Sequence, residues 1–119
     1  MSASGTARIV LEVELNAQRI PMRLRWQATE EAEEFQSCTA VLLSLWDKRQ
    51  RQSLGLDLWT PEMEVPDMHA LYYQTFLRLA DTLERAVHDA ELADQIRAFA
   101  RSFAQQAAAR LARPSSDPG

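Results

Sequence analysis

The chain has 119 residues, 46% hydrophobic and 25% charged, with a mass of 13.5 kDa and a net charge of −4. These values are typical of one soluble globular domain that buries about two thirds of its surface on folding. Three glycines are too few for a glycine-rich phosphate loop, and one cysteine excludes an internal disulfide framework or a cysteine-rich zinc site. No apolar run reaches the ~18 residues of a membrane span. The acidic balance, without a broad basic stripe, argues against nucleic acid as the main partner.

The first two predicted elements are strands that form a hairpin. Residues 8–15 and 20–26 alternate between apolar and polar side chains, which is typical of half-buried strands. The loop at 16–19 joins them, so the two acids of the first strand face the two arginines of the second. Pro21 indicates that the second strand starts at a sheet edge.

An acidic segment follows the second strand. Thr29 precedes Glu30, Glu31, Glu33 and Glu34, a pattern that predicts a helix N-cap with acids in the first turn, or an ordered acidic loop. A solvated surface segment is the simpler interpretation, and an acidic binding motif is the alternative.

Two further strands are predicted beyond this segment. The run at 39–46 is apolar without alternation, which favours a central strand covered on both faces. The polar turn at 47–52 follows it. Residues 53–59 then alternate again, as in a half-buried strand.

Two helices complete the predicted elements. Thr60 predicts a helical turn, and Pro66 with Asp67 predicts the start of the main helix, which carries a wide apolar stripe over about 22 residues. Asp89 is predicted to cap a second helix with its own apolar stripe. Two helices joined by a short link are expected to pack as an antiparallel pair.

Strands followed by helices indicate an α+β fold. We expect a four-stranded, mainly antiparallel sheet followed by an antiparallel pair of helices packed on one face. The predicted domain covers residues 7–112, between disordered tails at 1–6 and 113–119. The N-terminus has no apolar stretch of signal-peptide type, so the expected compartment is the cytoplasm.

Few residues point to catalytic or metal chemistry. His69 and His88 lie on one predicted helix, roughly 28 Å apart, which is too far to share a metal. Cys38 is expected to pack as a small hydrophobic residue. Asp47 and Asp57 are expected to serve a turn and a sheet face rather than acid–base catalysis. We therefore expect no enzyme activity, no cofactor and no metal site.

The face of the predicted sheet away from the helices carries the strongest functional signal. The central strand adds either its even-numbered or its odd-numbered residues from 41 to 46 to this face, and both sets are largely apolar. Exposed apolar patches mark interaction sites, and Trp and Met are enriched there. The alternative is that residues around 27–36 fold over this face and close it. The candidate protein-interaction residues are Trp46, Asp47, Asp57, Trp59, Thr60, Met63 and Met68.

Five segments follow one another closely along the chain. They are Leu43-Ser44-Leu45-Trp46-Asp47, Leu56-Asp57-Leu58-Trp59-Thr60, Glu62-Met63-x-Val65-x-Asp67-Met68, Gln74-Thr75 and Ala80-Asp81-Thr82-x-Glu84-Arg85-Ala86. Together they resemble the GldC family, small bacterial proteins named for an association with gliding motility. The resemblance extends over roughly residues 8–105. It implies an accessory part of the gliding machinery, with no enzymatic activity or cofactor. Pro66 and the alanine- and arginine-rich end depart from the family pattern.

The sequence thus supports three functional hypotheses. The first is a non-enzymatic accessory or adaptor protein that binds another protein, with a homodimer through the sheet face as one form of this binding. The second is a chaperone-like or peptide-binding module for an exported or assembling component, because a sheet edge can accept an added strand. The third is an enzyme or small-ligand binder with a pocket between helices and sheet. No nucleic acid partner and no membrane insertion are expected.

Overall fold

The computed structural model describes residues 5–28 and 34–113. Its elements in chain order are β1 (Ile9–Leu15), β2 (Pro21–Ala28), β3 (Gln36–Cys38), β4 (Ala40–Asp47), β5 (Gln52–Trp59), α1 (Val65–Val87) and α2 (Ala90–Ala112). This arrangement confirms the α+β class. The chain divides into two compact units, a β unit that ends at Met63 and a helical unit that begins at Glu64. Most of the predicted acidic element at 29–34 and most of the predicted tails lie outside the described residues.

The β1–β2 hairpin pairs its charges as the alternation predicts. In the antiparallel register, Glu12 lies opposite Arg25 and Glu14 lies opposite Arg23. Arg25 forms an ion pair with Glu12, and its guanidinium lies 5.3 Å from the ring centroid of Phe35. Opposite charges across a strand pair stabilise one register over its alternatives.

Asn16 holds the loop between these strands. Its side-chain oxygen accepts hydrogen bonds from the backbone N–H groups of Gln18 at 2.8 Å and Ile20 at 3.0 Å. Arg19 adopts a left-handed backbone with φ of 62°. An asparagine that bonds to the backbone two residues further on is a common turn former, so the loop follows from local chemistry.

The β unit contains two sheets, and the prediction of a single four-stranded sheet is wrong. One sheet has the order β1-β2-β3, and the other pairs β4 with β5. The three-residue strand β3 pairs with β2 through Cys38 and Leu24, and the chain then bends at Thr39. From Ala40 onward the ladder partner is β5, so residues 36–47 are divided between two sheets.

The run that predicted a fully covered central strand is also more exposed than expected. Leu43 and Leu45 on β4 are 40% and 57% exposed. An apolar run is buried on both faces only when strands flank it on both edges and layers cover it above and below. Among the described strands, β4 has β5 as its single ladder neighbour. The prediction of a covered central strand is therefore wrong.

Leu24 forms the centre of the β unit's core. Its side chain is fully buried, and its ladder partners are Val13 and Cys38. Side chains alternate between the two faces of a strand, so half-buried Leu11 and Trp26 lie on the same side of the sheet as Leu24. This small core is the part of the β unit where apolar burial is complete.

Capping residues define the start and the end of α1. The Asp67 carboxylate accepts a hydrogen bond of 3.0 Å from the backbone N–H of Glu64, which precedes the helix, and Pro66 lies in the first turn. At the other end, His88 adopts a left-handed backbone with φ of 56° and donates its N–H to Glu84 at 2.8 Å. This is a common way for a helix to end.

The second helix begins where the sequence predicts. The Asp89 carboxylate accepts a 3.0 Å hydrogen bond from the backbone N–H of Leu92, which confirms Asp89 as the N-cap of α2. The link between the helices is only His88 and Asp89. Such a short link places the two helices side by side and antiparallel.

Small residues fill the seam between α1 and α2. The buried residues of the pair are Ala80, Ala93, Ala100 and Ala107, so that α2 repeats an alanine every seven residues. Phe76 adds edge-to-face contacts with Phe99 and Phe103, each with ring centroids 5.3 Å apart. The predicted helix pair is confirmed. That it packs on one face of a sheet stays a prediction.

Candidate functional site

The register of the β4–β5 sheet divides its side chains between two faces. Ala40 lies opposite Trp59, and Trp46 lies opposite Ser53, so both tryptophans point to the same side. We call this side the tryptophan face; it comprises Ala40, Leu42, Ser44, Trp46, Ser53, Gly55, Asp57 and Trp59. The opposite side is the aliphatic face; its apolar residues are Val41, Leu43, Leu45, Leu54, Leu56 and Leu58.

The two tryptophans are open to solvent but do not touch. Trp46 is 61% exposed and Trp59 is 52% exposed. Trp59 is paired with Ala40, which lies six residues before Trp46, so the indoles are about 20 Å apart along the strands. The structure therefore places them on one face, at its two ends.

A groove of about 250 Å³ adjoins Trp59. It is lined by Asp57 and Trp59 of the tryptophan face, by Leu58 of the aliphatic face, and by Ile20 and Pro21. Apart from the carboxylate of Asp57, the lining side chains are apolar or aromatic. An open groove beside an exposed tryptophan has the shape and chemistry that an apolar anchor residue of a partner can fill.

The two candidate aspartates occupy different positions. The Asp47 carboxylate accepts hydrogen bonds from the backbone N–H groups of Arg49 at 3.0 Å and Gln50 at 3.2 Å, so it stabilises the turn between β4 and β5. Asp57 is exposed on the tryptophan face. Asp57 is therefore the acid of this face that a partner can reach.

Thr60 and Met63 lie at the end of the β unit. Thr60 is buried, and its backbone N–H donates a 2.9 Å hydrogen bond to the carbonyl of Thr39. The Thr39 hydroxyl in turn lies 3.2 Å from the sulfur of Met63. Where the sequence predicts a helical turn at Thr60, the structure has a turn in which the backbone N–H of Met63 donates a hydrogen bond to the carbonyl of Thr60. Met68, half-buried in α1, belongs to the helical unit.

Of the seven candidate residues, the structure therefore brings Trp46, Asp57 and Trp59 onto one open face. The aliphatic face was not singled out from the sequence. The sequence nevertheless carried a signal for it. The apolar run at 41–45 and the alternating leucines of β5 place apolar side chains on one side once the two strands pair. The sequence left open whether the even-numbered or the odd-numbered residues of β4 share a face with Trp59. In the structure the even-numbered residues do so.

The surroundings of Cys38 bear on the reactivity of its thiol. Cys38 is partly buried, and burial raises the pKa of its thiol, a shift that a hydrogen bond with the backbone of Ala40 partly offsets. A raised pKa lowers the thiolate fraction and makes the cysteine a weaker nucleophile.

The histidines lie in the helical unit. His69 packs edge-on against Phe103, with ring centroids 6.3 Å apart. Its Nδ1 is buried without a hydrogen-bond partner among the described residues. Within ranges 5–28 and 34–113, no group of three or more His, Cys, Asp or Glu side chains is placed to hold a metal ion. The two helices in these ranges do not combine the length and hydropathy needed to cross a bilayer.

An ionic cluster connects the two helices. Arg97 on α2 forms ion pairs with Asp81 at 2.9 Å, Glu84 at 2.7 Å and Asp94 at 2.7 Å. Hydrogen bonds to Asp81, and then to Glu84 and Asp94, raise the pKa of Arg97 above its already high value. The guanidinium therefore stays charged under all conditions in which the protein is folded.

These features define a small α+β protein whose β strands and helices both leave large apolar side chains exposed. The chain matches the family model described as gliding motility-associated protein GldC-like over residues 21–109. Because this match covers more than half of the chain, the protein belongs to the GldC-like family, as the sequence resemblance predicts. No curated protein and no solved structure gives a match. The family match includes all seven candidate residues.

Proposed function

We propose that this GldC-like protein is a non-enzymatic, cytoplasmic accessory protein that acts by binding another protein through its tryptophan face. The observation that supports the proposal best is the exposure of both Trp46 and Trp59 on one side of the β4–β5 sheet. Tryptophan is among the residues most enriched in the energetic centres of protein interfaces. Exposed apolar patches on a protein surface mark interaction sites.

The exposed indoles offer a substantial binding energy. Aromatic side chains bury 150–250 Å², so a half-exposed indole leaves about 100 Å² to cover, or about 2.5 kcal/mol of apolar burial. A two-stranded sheet is also marginally stable by itself. Covering the indoles would therefore strengthen the binding of a partner, and the bound partner would stabilise the β4–β5 hairpin.

The groove beside Trp59 indicates what the partner presents. Ile20, Pro21 and Leu58 accept an apolar side chain, and Asp57 lies at the same groove. A carboxylate at the edge of an apolar groove favours a basic group beside the inserted side chain. We infer a partner surface with an apolar anchor next to a lysine or arginine.

A pair of charge substitutions on opposite faces of β5 tests this proposal. Trp59→Asp places a charge on the tryptophan face, and Leu54→Asp places the same charge at an exposed position of the aliphatic face. Partners captured from the source organism with the wild-type chain are then titrated against each variant. We expect Trp59→Asp to weaken binding at least about tenfold, the equivalent of roughly 1.4 kcal/mol, and Leu54→Asp to leave it unchanged.

The reverse result would contradict the proposal: partners that bind the Trp59→Asp variant as tightly as the wild-type chain and no longer bind the Leu54→Asp variant. Circular dichroism of both variants checks that the fold is intact. Cell fractionation tests the cytoplasmic location, and recovery of the chain outside the cytoplasm would contradict it.

A second function rests on the edge of β5. Among the described strands, β5 is hydrogen-bonded to β4 alone, which leaves the other edge of this eight-residue strand without a ladder partner. Such an edge can accept an extended segment of another protein, as peptide-binding modules and chaperones do. Binding of the captured partner's isolated disordered segment would support this function. Binding that requires the folded partner would support the adaptor instead.

A further inference from the structure

The helical unit has an apolar side that its own two helices leave open. The seam between α1 and α2 buries alanines, and large side chains stand beside it at seven-residue intervals. These are Val65, Tyr72 and Leu79 on α1 and Leu92 and Phe99 on α2, all of which are exposed. Seven-residue spacing of apolar side chains beside a helical seam is typical of helices that pack in bundles.

Phe99 divides this side into two grooves. It is 57% exposed and contacts both Phe76 and Phe103 on its inner side. One groove, of about 500 Å³, is lined by Phe76, Leu79, Leu83, Leu92 and Phe99, among others. The other, of about 310 Å³, includes His69, Phe103, Gln106 and Arg110. A projecting ring and two hollows large enough for a ring therefore lie next to one another.

We propose that this side of the helical unit binds the same side of a second copy of the chain. A two-fold axis near Phe99 would place the Phe99 ring of each copy in the hollow of the other, and the four helices would form a bundle. In a two-fold interface the same patch must be its own complement. A knob that adjoins a hollow of matching size meets this condition.

The available area suits a dimer. Each of the five exposed side chains leaves on the order of 100 Å² open. The half-buried lining of the two grooves adds to this, which brings the apolar area towards the ~800 Å² that each partner of a stable complex covers. The helices are 23 residues each, or about 34 Å long, so two helix pairs can match along their whole length.

The distribution of charge favours an antiparallel arrangement. The rim of the grooves carries uncharged Gln95, Ser102 and Gln106, and Arg110 lies near the open end of the helix pair. Asp89 and Glu91 lie at the linked end. An antiparallel two-fold axis brings Arg110 of each copy to the acidic end of the other, whereas a parallel one would bring the two Arg110 side chains together.

Molar mass by light scattering of the full chain tests the proposal. We expect the wild-type chain at twice its 13.5 kDa, with dissociation on dilution. Phe99→Glu should give the monomer mass with an unchanged helical circular dichroism signal. The matched control is Ala98→Glu, which places the same charge on the neighbouring exposed residue outside both grooves and should remain dimeric.

A wild-type chain that is monomeric across the dilution series would overturn the proposal. So would a Phe99→Glu chain that keeps the dimer mass.

If Phe99→Glu loses its helical signal, Arg110→Glu provides the second test, because Arg110 contributes charge rather than core packing. We expect Arg110→Glu to raise the dissociation constant at low salt, because Arg110 lines one of the grooves. Unchanged affinity in Arg110→Glu would overturn the antiparallel arrangement. Trp59→Asp should remain dimeric, which separates this interface from the tryptophan face.

Discussion

Leu24 is the residue on which the packing of the β unit depends most. Among the described residues it is the large apolar side chain with no exposed surface, and it sits between ladder partners on both neighbouring strands. Truncating a side chain at such a site leaves a cavity that the surrounding strands fill only in part.

We therefore expect Leu24→Ala to lower the free energy of unfolding by about 2–5 kcal/mol, as measured by urea titration. The control is Leu45→Ala, at a more than half exposed position of β4, which should cost less than about 1 kcal/mol. Equal losses for the two variants would show that Leu24 is not the centre of this core.

Cys38 gives a prediction that depends on pH. Burial raises the pKa of its thiol, so the thiolate fraction at a given pH is smaller in the folded chain than in the unfolded one. The rate of alkylation should rise with a midpoint at higher pH in the native protein than in guanidinium chloride, and these two midpoints bound an interval of pH. Because the unfolded thiol loses its proton first, the contribution of Cys38 to stability should fall as the pH rises through this interval. A native midpoint below the unfolded one would contradict the assignment.

At the scale of single elements, the ionic cluster of Arg97 connects α1 to α2 on the side opposite the apolar grooves. One guanidinium pairs with three carboxylates, two from α1 and one from its own helix. These groups are open to water, so their attraction is sensitive to dissolved salt.

Arg97→Gln should therefore lower the melting temperature at low ionic strength, and the difference from wild type should shrink as salt is added. Arg101→Gln is the matched control on the same helix, because Arg101 forms no ion pair with other described residues. A loss that is independent of salt would mean that Arg97 acts through packing.

Elements determined by local chemistry were predictable from the sequence. The β1–β2 hairpin follows from alternation and from the pairing of Glu12 and Glu14 with arginines, and the start of α2 follows from the carboxylate of Asp89. The division into two sheets was not predictable in this way. It depends on three residues, Gln36 to Cys38, that pair with a distant strand, and on a bend at Thr39. Their composition carries no strand signal.

The candidate site was predictable to the extent that it depends on strand register. Trp46, Asp57 and Trp59 share a face because two alternating strands pair antiparallel. Thr60 and Met63 belong to the segments that resemble the GldC family, but in the structure Thr60 is a buried turn residue and Met63 contacts Thr39. Burial of this kind depends on which segments meet in three dimensions, which residue spacing does not reveal.

At the scale of the whole molecule, two of the exposed apolar surfaces among the described residues have a proposed role. The tryptophan face has aromatic residues, a carboxylate and a small groove, a mixture that suits a partner with both an apolar and a basic group. The apolar side of the helical unit has a ring beside matching hollows and an uncharged rim, which suits a second copy. One surface is assigned to partner binding and the other to self-association, so the two activities can be lost separately.

Site-specific photo-cross-linking from two adjacent residues of β5 is the most direct test of binding through the tryptophan face. Gly55 lies on that face, and Leu56 lies on the aliphatic face of the same strand. A photoreactive side chain at 55 should become covalently joined to the captured partner, and one at 56 should not. Equal cross-linking from both positions, or cross-linking from 56 alone, would contradict the account.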